Sequence, residues 1–368
     1  MTGVYRDMKH RWRTDLNWLS GLSTSQWLRL LRENRVHREY WHRGAVLSAL
    51  SVYNSLAHRI DSAVSAKPSH VRAQAPVFVL GHWRSGTTWL YHLLARDPAL
   101  AAPNAFQVTN PRSFAATEWL AARVFQSLIP NKRVQDDVAL GMHTPEEDEY
   151  AIGVLCGMTP YLGRSFPDRA AFYERFLTLR DCSPTEREAF GQAMHDFTAR
   201  LTQHTGKRLV LKSPAHTARI RYLLKWFPDA HFVHIHRDPT AVFQSTRHLY
   251  DTVDWFWTLQ RRPANHDEQI LRQYRALHDA WFEDAALIPK GHLHELSYES
   301  LVDDPIGNLQ SLYSSLNLGP FERVQATMEE ALSGRAYRAN RFEPLSDSAR
   351  AALHKAAGPC FDAWDYAR

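Results

Sequence analysis

Short apolar runs alternate with longer amphipathic stretches through most of the chain. Four runs have the length and composition of buried strands: Val77 to Leu80, Arg208 to Lys212, His231 to His236, and a segment near His292 to Leu296. Between them, apolar residues recur at three- and four-residue steps, which is typical of helices. This alternation predicts an α/β fold in which helices flank a central parallel sheet.

The first 70 residues contain helical patterns rather than strand patterns. Ser23 and Gln26 have the spacing of a capping box, and apolar residues follow at helical steps. A second helix is predicted by Val46, Ala49, Leu50, Tyr53, Leu56, Ala57 and Ile60. We therefore predict a helical N-terminal extension, residues 1–70, packed on an α/β domain of residues 71–368.

Tryptophan and arginine are concentrated in this extension. Its tryptophans are Trp12, Trp18, Trp27 and Trp41, and residues 1–45 hold nine Arg or Lys against four Asp or Glu, which accounts for the whole net charge of +5. Two interpretations stay open. Either the tryptophans pack on the domain beneath a solvated basic face, or the segment lies on an anionic membrane surface or guides an amphipathic substrate.

Composition and cysteine usage describe an ordinary globular chain, with 44% hydrophobic and 23% charged residues. Cys156, Cys182 and Cys360 are odd in number and far apart, which argues against a disulfide framework. No apolar run reaches the roughly 20 residues of a spanning helix, and the first ten residues contain no apolar signal segment. We expect a cytoplasmic protein. Because no helix carries a dense basic stripe, nucleic-acid binding is not expected.

A glycine-bounded loop follows the first predicted strand. The order strand, Gly81-x4-Gly86-Thr87-Thr88, helix places loop amides and first-turn N–H groups around one point, which suits a phosphate. The spacing resembles the nucleotide P-loop, but Thr87 stands where that motif has lysine. A cradle with Arg84 and without this lysine indicates a shorter anion than a nucleoside triphosphate.

Polar residues end the other two predicted strands of this region. Lys212 ends one strand, Arg237 ends the next, and Ser245 lies on the helix that follows. Because ligands bind at the carboxyl ends of parallel strands, we expect Arg237 and Ser245 at the same edge as the glycine loop. His234 and His236 share one strand face, but no third metal ligand is placed by spacing, so we interpret them as packed or hydrogen-bonded.

The most acidic run of the chain is Pro145-Glu-Glu-Asp-Glu149. Carboxylates after a proline suit the first turn of a helix, where the macrodipole favours negative charge. Alternatively, Glu147 and Glu149 are candidate general bases, because transfer to a hydroxyl or amine requires a proton acceptor. His216 and His143 are reserve candidates for that role.

These motifs resemble the sulfotransferases that use 3′-phosphoadenosine 5′-phosphosulfate (PAPS). Arg84-Ser85-Gly86-Thr87-Thr88-Trp89 is similar to their 5′-phosphosulfate loop, and the likeness runs over residues 76–345. It implies that Arg237 and Ser245 hold the 3′-phosphate and that Lys212 is catalytic. It also implies that a C-terminal loop closes over the nucleotide through Tyr337, Arg338 and Arg341. Within the family, the form of these motifs in this chain resembles a bacterial-type branch.

One departure from the family pattern concerns the base. The tyrosylprotein enzymes carry a base carboxylate about twenty residues after the loop arginine, as the resemblance implies, whereas this chain has Pro103-Asn-Ala-Phe-Gln-Val there. Glu147 and Glu149 are the predicted substitutes.

The predicted function is transfer of a sulfuryl group from PAPS to a hydroxyl or amine, with adenosine 3′,5′-bisphosphate as product and without a metal. The rival interpretations are a nucleotide kinase or NTPase with a degenerate Walker A motif, and a non-catalytic nucleotide-binding protein. The acceptor is a small molecule or a lipid. Trp255-Phe256-Trp257 fits either an apolar acceptor wall or the core.

Overall fold

The computed structural model describes residues 8–14, 17–64, 71–118, 141–333 and 342–367. The chain divides into two compact units, which we call the helical unit and the sheet unit. The helical unit comprises residues 1–72, 103–206 and 248–266, and the sheet unit comprises 73–102, 207–247 and 267–368. The predicted boundary between an extension and a domain at residue 70 stays a prediction.

Five parallel strands form the centre of the sheet unit, in the order β2-β3-β1-β4-β5. Their bounds are β1 Val77–Leu80, β2 Leu100–Ala101, β3 Arg208–Lys212, β4 His231–His236 and β5 Leu293–Ser297. Every residue of β1 is buried, since it pairs with β3 on one side and β4 on the other. The predicted α/β fold with a parallel sheet is confirmed.

Helices cover the sheet and bury its apolar side chains. This unit holds α3 Thr87–Leu94, α9 Ile220–Trp226, α12 Asp267–Asp284, α13 Tyr298–Asp303, α14 Pro305–Ser315, α15 Glu322–Ser333 and α16 Asp347–Ala363. Val77 and Val79 of β1 pack with Leu90 and Leu94 of α3 in one buried cluster. The 3-10 turn Pro214–Ala218 lies between β3 and α9, which begins at Ile220.

The helical unit contains α1 Thr24–Glu33, α2 Trp41–Val64, α4 Ala105–Thr109, α5 Asp148–Cys156, α6 Leu162–Ser165, α7 Ala170–Glu174, α8 Pro184–Thr205 and α11 Asp254–Trp257. Helix α10, Pro239–Thr252, begins in the sheet unit and ends in this one. The buried guanidinium of Arg43 donates to the carbonyls of Trp255 and Thr258, which ties α2 to the end of α11.

The four tryptophans of the N-terminal segment have two different environments, and each environment fits one of the two interpretations left open by the sequence. Trp18 and Trp27 are buried, whereas Trp12 and Trp41 are 68% and 63% exposed. The predicted capping box of Ser23 and Gln26 starts α1 as expected. However, Val46, Tyr53, Leu56 and Ile60, which by helical periodicity would form the core side of α2, lie on its solvent-exposed side.

Within the described residues, no helix is both long enough and apolar enough to cross a membrane. None of the three cysteines, all of them among the described residues, forms a disulfide, and Cys182 and Cys360 are buried.

Candidate phosphate-binding and transfer site

The loop between β1 and α3 is pressed tightly against its neighbours, and glycines make this approach possible. Gly81 has φ 141°, and a Cβ there would lie 2.4 Å from the carbonyl oxygen of Ile235. Gly86 has φ 98°, and its Cβ would lie 2.5 Å from the Tyr298 ring. Any side chain would therefore both strain the backbone and displace its surroundings at these two positions.

Hydrogen bonds hold the loop in this conformation. Gly81 N–H donates to Thr217 Oγ1 over 2.7 Å, and Ser85 Oγ donates to the His82 carbonyl over 2.8 Å. Arg84 adopts φ 72°, a left-handed conformation that is uncommon for a residue with a side chain. Such a backbone outlier is typical of functional loops, where surrounding contacts stabilise it.

Three of the predicted phosphate-binding residues come together beside this loop. Arg84 Nε donates to Ser245 Oγ at 2.9 Å, and Arg237 Nη1 donates to the Arg84 carbonyl at 3.2 Å. Two guanidinium groups and a helix-borne hydroxyl thus share one site, which is the donor set that a phosphate prefers. Arg237 and Ser245 thus lie at the same edge as the glycine loop, where they were predicted.

Tyr298 organises the next layer of the site. The guanidinium carbon of Arg237 lies 4.1 Å from the centroid of the Tyr298 ring, and the Trp89 ring meets the same tyrosine edge-on at 6.2 Å. Among the described residues, Arg237 Nε and Trp89 Nε1 are buried donors without a hydrogen-bond partner. Because buried donors are rarely left unpaired, these two N–H groups fit a ligand that accepts hydrogen bonds.

Lys212 ends β3 next to the start of α3. Its Nζ donates to Thr88 Oγ1 at 3.2 Å and lies 6.0 Å from the centroid of the Tyr91 ring. The side chain is almost fully buried, and Thr87 beside Thr88 is buried as well. A lysine held at the first turn of the helix adds its positive charge to the macrodipole of α3.

His216 belongs to the 3-10 turn after β3. It is fully buried, with its ring edge against Phe78 at 5.5 Å and Nδ1 3.5 Å from an Arg219 nitrogen. A role as base stays a prediction for His216.

The acidic run lies in the helical unit and starts α5, as its helix-start interpretation predicts. Glu147 is the N-cap residue, Asp148 and Glu149 form the first turn, and all three are buried. The Tyr161 hydroxyl donates to Glu147. Burial, together with the negative charge of Glu147, raises the pKa of Tyr161 well above its ordinary value, so the phenol remains a donor.

Some predicted residues fall elsewhere. Tyr337, Arg338 and Arg341 lie outside the described residues, so their role at the nucleotide stays a prediction. Trp255, Phe256 and Trp257 are buried in α11, which favours the core over an acceptor wall.

The paired histidines of β4 are packed and hydrogen-bonded, as predicted. His234 stacks on Trp281 at 3.9 Å, and His236 stacks on Trp364 at 4.6 Å. Burial and the nearby His234 lower the pKa of His236 to about 4. Within the described part of the chain, no three His, Cys, Asp or Glu side chains form a metal-binding cluster.

Sequence reasoning missed three residues that shape the site. Thr217 anchors Gly81, Tyr298 carries Arg237, and Tyr161 pairs with Glu147. Tyr298 follows directly after β5, and the parallel-sheet rule could have placed it at the same edge. Neither of the other two had a signal in spacing or composition.

A parallel sheet with a glycine loop at its carboxyl edge, beside clustered cationic side chains, defines a protein that binds a phosphate-bearing ligand. A family model described as "Sulfotransferase family" matches residues 76–323. The chain therefore belongs to the sulfotransferase family, enzymes that move a sulfuryl group to an acceptor, and the predicted family resemblance is confirmed.

Two similar proteins share the name omega-hydroxy-beta-dihydromenaquinone-9 sulfotransferase Stf3. The proteins of Mycobacterium bovis and Mycobacterium tuberculosis are each 34% identical to this chain, over 97% of it and 94% of their own length. Similarity thus extends well beyond the motif region into the N-terminal helices.

Solved structures support the fold. The crystal structure of sulfotransferase STF9 from Mycobacterium avium matches with a TM-score of 0.74 at 18% identity, over 99% of this chain and 94% of that one. Sulfotransferase STF1 from Mycobacterium tuberculosis matches with a TM-score of 0.64 at 18% identity, over 90% of this chain and 92% of that one.

Proposed function

We propose that this sulfotransferase takes its sulfuryl group from PAPS and releases adenosine 3′,5′-bisphosphate. The observation that carries the proposal is the contact of Arg84 with Ser245 and Arg237, next to the unpaired Nε of Arg237. A cluster with two guanidinium groups suits a terminal phosphate monoester, which the 3′-phosphate of the donor supplies. The amides from Gly86 to Thr88 would hold the 5′-phosphosulfate at the N-terminus of α3, while the Ser85 N–H donates to the His82 carbonyl within the loop.

The transfer is an in-line displacement in which the acceptor oxygen or nitrogen forms a bond to sulfur as the bond from sulfur to the 5′-phosphate oxygen breaks. Negative charge then grows on the leaving phosphate. Lys212, Arg84 and the loop amides stabilise that charge, and they contribute more in the transition state than in the ground state because the charge on the leaving phosphate is larger there. Since a sulfuryl group carries less charge than a phosphoryl group, the proposed reaction is metal-independent.

We assign proton removal from the acceptor to Glu147 or Glu149, with His216 and His143 in reserve. Glu147 and Glu149 are both buried at the start of α5, which supports a role away from bulk water. Tyr161 supplies Glu147 with a hydrogen bond that orients one carboxylate oxygen.

For the acceptor we propose a hydroxyl on a lipophilic small molecule or lipid. Support comes from the two relatives, whose name specifies a hydroxylated menaquinone. Peripheral membrane contact through the basic aromatic N-terminal segment belongs to the same proposal, and the exposed Trp12 and Trp41 support it. Three cysteines without a disulfide among them support a cytoplasmic location, and nucleic acid is not proposed as a partner.

The donor assignment is tested by thermal melting with adenosine 3′,5′-bisphosphate against ATP plus Mg²⁺. At a ligand concentration about one hundred times Kd, binding adds about 2.7 kcal/mol to the free energy of unfolding and raises the Tm. We expect a shift with the bisphosphate and little with ATP. The opposite preference would support a kinase or NTPase, and tight binding without sulfated product from PAPS would support a non-catalytic binder.

The base assignment is tested with Glu147→Gln and Glu149→Gln. We expect the essential one to lower kcat by about 10²–10⁴-fold on an unactivated alcohol. The loss should shrink on a nitrophenol, whose proton leaves without help. If both variants keep near-full activity on the alcohol while His216→Ala or His143→Ala loses it, the base is a histidine.

A further inference from the structure

Helix α2 exposes an apolar face along its whole length. The residues Trp41, Ala45, Ala49, Val52, Leu56, Ile60 and Ala63 recur at steps of three and four, and the large ones among them are exposed. We call this set the α2 face. Val52, Leu56 and Ile60 are 51%, 53% and 59% exposed, which is unusual for three aliphatic side chains on one stripe. Single exposed apolar residues are ordinary, but a continuous stripe marks a surface that meets another apolar phase.

The exposed side of α2 carries no negative charge and a single positive one. The helix contains three charged residues: Arg43 and Asp61 are buried, and only Arg59 is exposed. Asp61 forms an ion pair with Arg200 of α8, so its charge is directed into the unit. A helix with an apolar outer face and its acid buried differs from the usual surface helix, which exposes its charged side.

Helix α1 extends the apolar surface and borders it with positive charge. It packs along α2, where Trp27 Nε1 donates to Ser48 Oγ at 2.8 Å. Leu28 and Leu31 of α1 are 47% and 37% exposed. Arginines accompany them on α1 and in the segment that follows it, at Arg29, Arg32, Arg35 and Arg38, against the exposed carboxylate of Glu33.

Aromatic rings mark the N-terminal end of the same surface. Trp41 begins the α2 face, and the Trp12 ring lies 4.8 Å from the ring of His42. The Arg11 guanidinium lies 4.8 Å from the Trp12 centroid. Tryptophan with arginine beside an aliphatic stripe is the composition of helices that lie in the headgroup region of a bilayer.

We propose that the α2 face, with Leu28, Leu31 and Trp12, docks on the surface of an anionic lipid bilayer, with α2 lying in the plane of the membrane. This rests on the proposed membrane contact and extends it from the basic segment to a defined surface. Charge favours a bilayer over a second copy of the chain, because a two-fold interface would set the same arginine border against itself.

Vesicle flotation tests the proposal, with phosphatidylcholine vesicles that either contain or lack phosphatidylglycerol. The full chain should float with the anionic vesicles. The triple variant Val52→Ser, Leu56→Ser, Ile60→Ser should bind them at least about tenfold more weakly, because three aliphatic groups no longer leave water. The matched control is Leu287→Ser with Val302→Ser, two exposed aliphatic residues of the sheet unit, which should float as the parent does.

The charge border is tested separately. Binding should fall at least about tenfold when phosphatidylglycerol is omitted, and also for Arg29→Ala, Arg32→Ala, Arg35→Ala on anionic vesicles. Equal flotation of the aliphatic triple variant and the parent protein overturns the proposal. The proposal is also overturned if the parent protein binds no vesicles but sediments as a dimer, and the aliphatic triple variant sediments as a monomer. The melting shift with adenosine 3′,5′-bisphosphate should be the same in the aliphatic triple variant and the parent protein. If the donor assignment is wrong, that shift is absent from both proteins, whatever their binding to vesicles.

Discussion

Arginines with buried N–H groups occur in both units, but their surroundings differ. In the helical unit, Arg164 Nε lies 3.2 Å from Asp254 Oδ1, and Arg262 Nη2 lies 2.9 Å from Asp254 Oδ2. In the sheet unit, Arg237 donates to a carbonyl and stacks on Tyr298, and no carboxylate lies within ion-pair distance of it among the described residues. In the helical unit Asp254 compensates two buried cations, whereas in the sheet unit a buried guanidinium N–H of Arg237 has no partner.

This difference separates an arginine whose charge is paired within the fold from an arginine whose N–H group is left for a ligand. Burial by itself lowers the pKa of Arg164, but Asp254 and the neighbouring tyrosines together outweigh that effect and raise the pKa, so the guanidinium stays charged. Such a buried pair stabilises little in net terms, yet breaking it leaves an uncompensated charge. At Arg237 no carboxylate of the described residues takes that place, which fits the proposed phosphate of a ligand.

The largest expected effect on stability is at the compensated site. Arg164→Met should lower the free energy of unfolding by about 3–5 kcal/mol, because Asp254 loses one of its two cationic partners. Chemical denaturation measures this, and Arg169→Met, on a half-exposed arginine of the same unit, is the control. Affinity for adenosine 3′,5′-bisphosphate should change little in the Arg164 variant. If the Arg164 variant kept its stability but lost affinity for the nucleotide, Arg164 would be a binding residue and the distinction between the two units would be wrong.

Lys212→Met should affect catalysis rather than stability. The ammonium stabilises charge that develops only in the transition state, so kcat should fall about 10²–10³-fold with little change in nucleotide affinity. Steady-state kinetics together with calorimetry separate the two quantities. Lys225→Met, on the exposed side of α9, is the matched control. Full activity of the Lys212 variant would remove this residue from the mechanism.

A smaller effect is expected for the proposed phosphate contacts of Arg84 and Ser245. Arg84→Ala and Ser245→Ala should each weaken binding of adenosine 3′,5′-bisphosphate by about 1.5–3 kcal/mol, because each removes a charge-assisted contact. Since the two side chains are hydrogen-bonded to each other, the double variant should lose less than the sum of the single losses. Calorimetry with adenosine 5′-phosphate is the control for Ser245, and unchanged affinities in both variants would exclude the assignment.

The sheet unit was predicted well because its elements are specified locally. Val77–Leu80, Arg208–Lys212 and His231–His236 are apolar runs bounded by glycine, lysine and arginine, and each is a strand. A parallel sheet then brings their carboxyl ends to one edge by topology alone. For this reason the amino-acid sequence alone is enough to place Arg237 and Ser245 beside the loop of Arg84.

Helix α2 shows why the rest could not be predicted. Its periodicity correctly indicated a helix, but the period does not say whether the apolar stripe faces the core or the solvent. The core side is instead made by Arg43, Leu47, Ala57 and Asp61, two of them charged and paired by distant residues. Tyr161 and Glu147 likewise meet only through the packing of the helical unit.

The smallest predicted effect concerns a residue that positions Arg237 from a distance. Tyr366 donates to Glu299 Oε2 at 2.8 Å, and Glu299 Oε1 accepts from the backbone N–H of Asp238 at 3.3 Å. Burial and the Glu299 charge raise the pKa of Tyr366, so its hydroxyl stays protonated. With that proton directed to Glu299, His236 Nδ1–H donates to the Tyr366 oxygen at 2.9 Å.

Tyr366→Phe removes this chain of hydrogen bonds and frees the Glu299 carboxylate near the end of β4. We expect Kd for adenosine 3′,5′-bisphosphate to rise about two- to fivefold, the range of one neutral hydrogen bond acting indirectly. Kd for adenosine 5′-phosphate, which lacks the 3′-phosphate, should not change, and this separates positioning of Arg237 from general loosening of the fold. Tyr222→Phe on α9 is the matched control. An equal rise for both nucleotides would show that Tyr366 only stabilises the sheet unit.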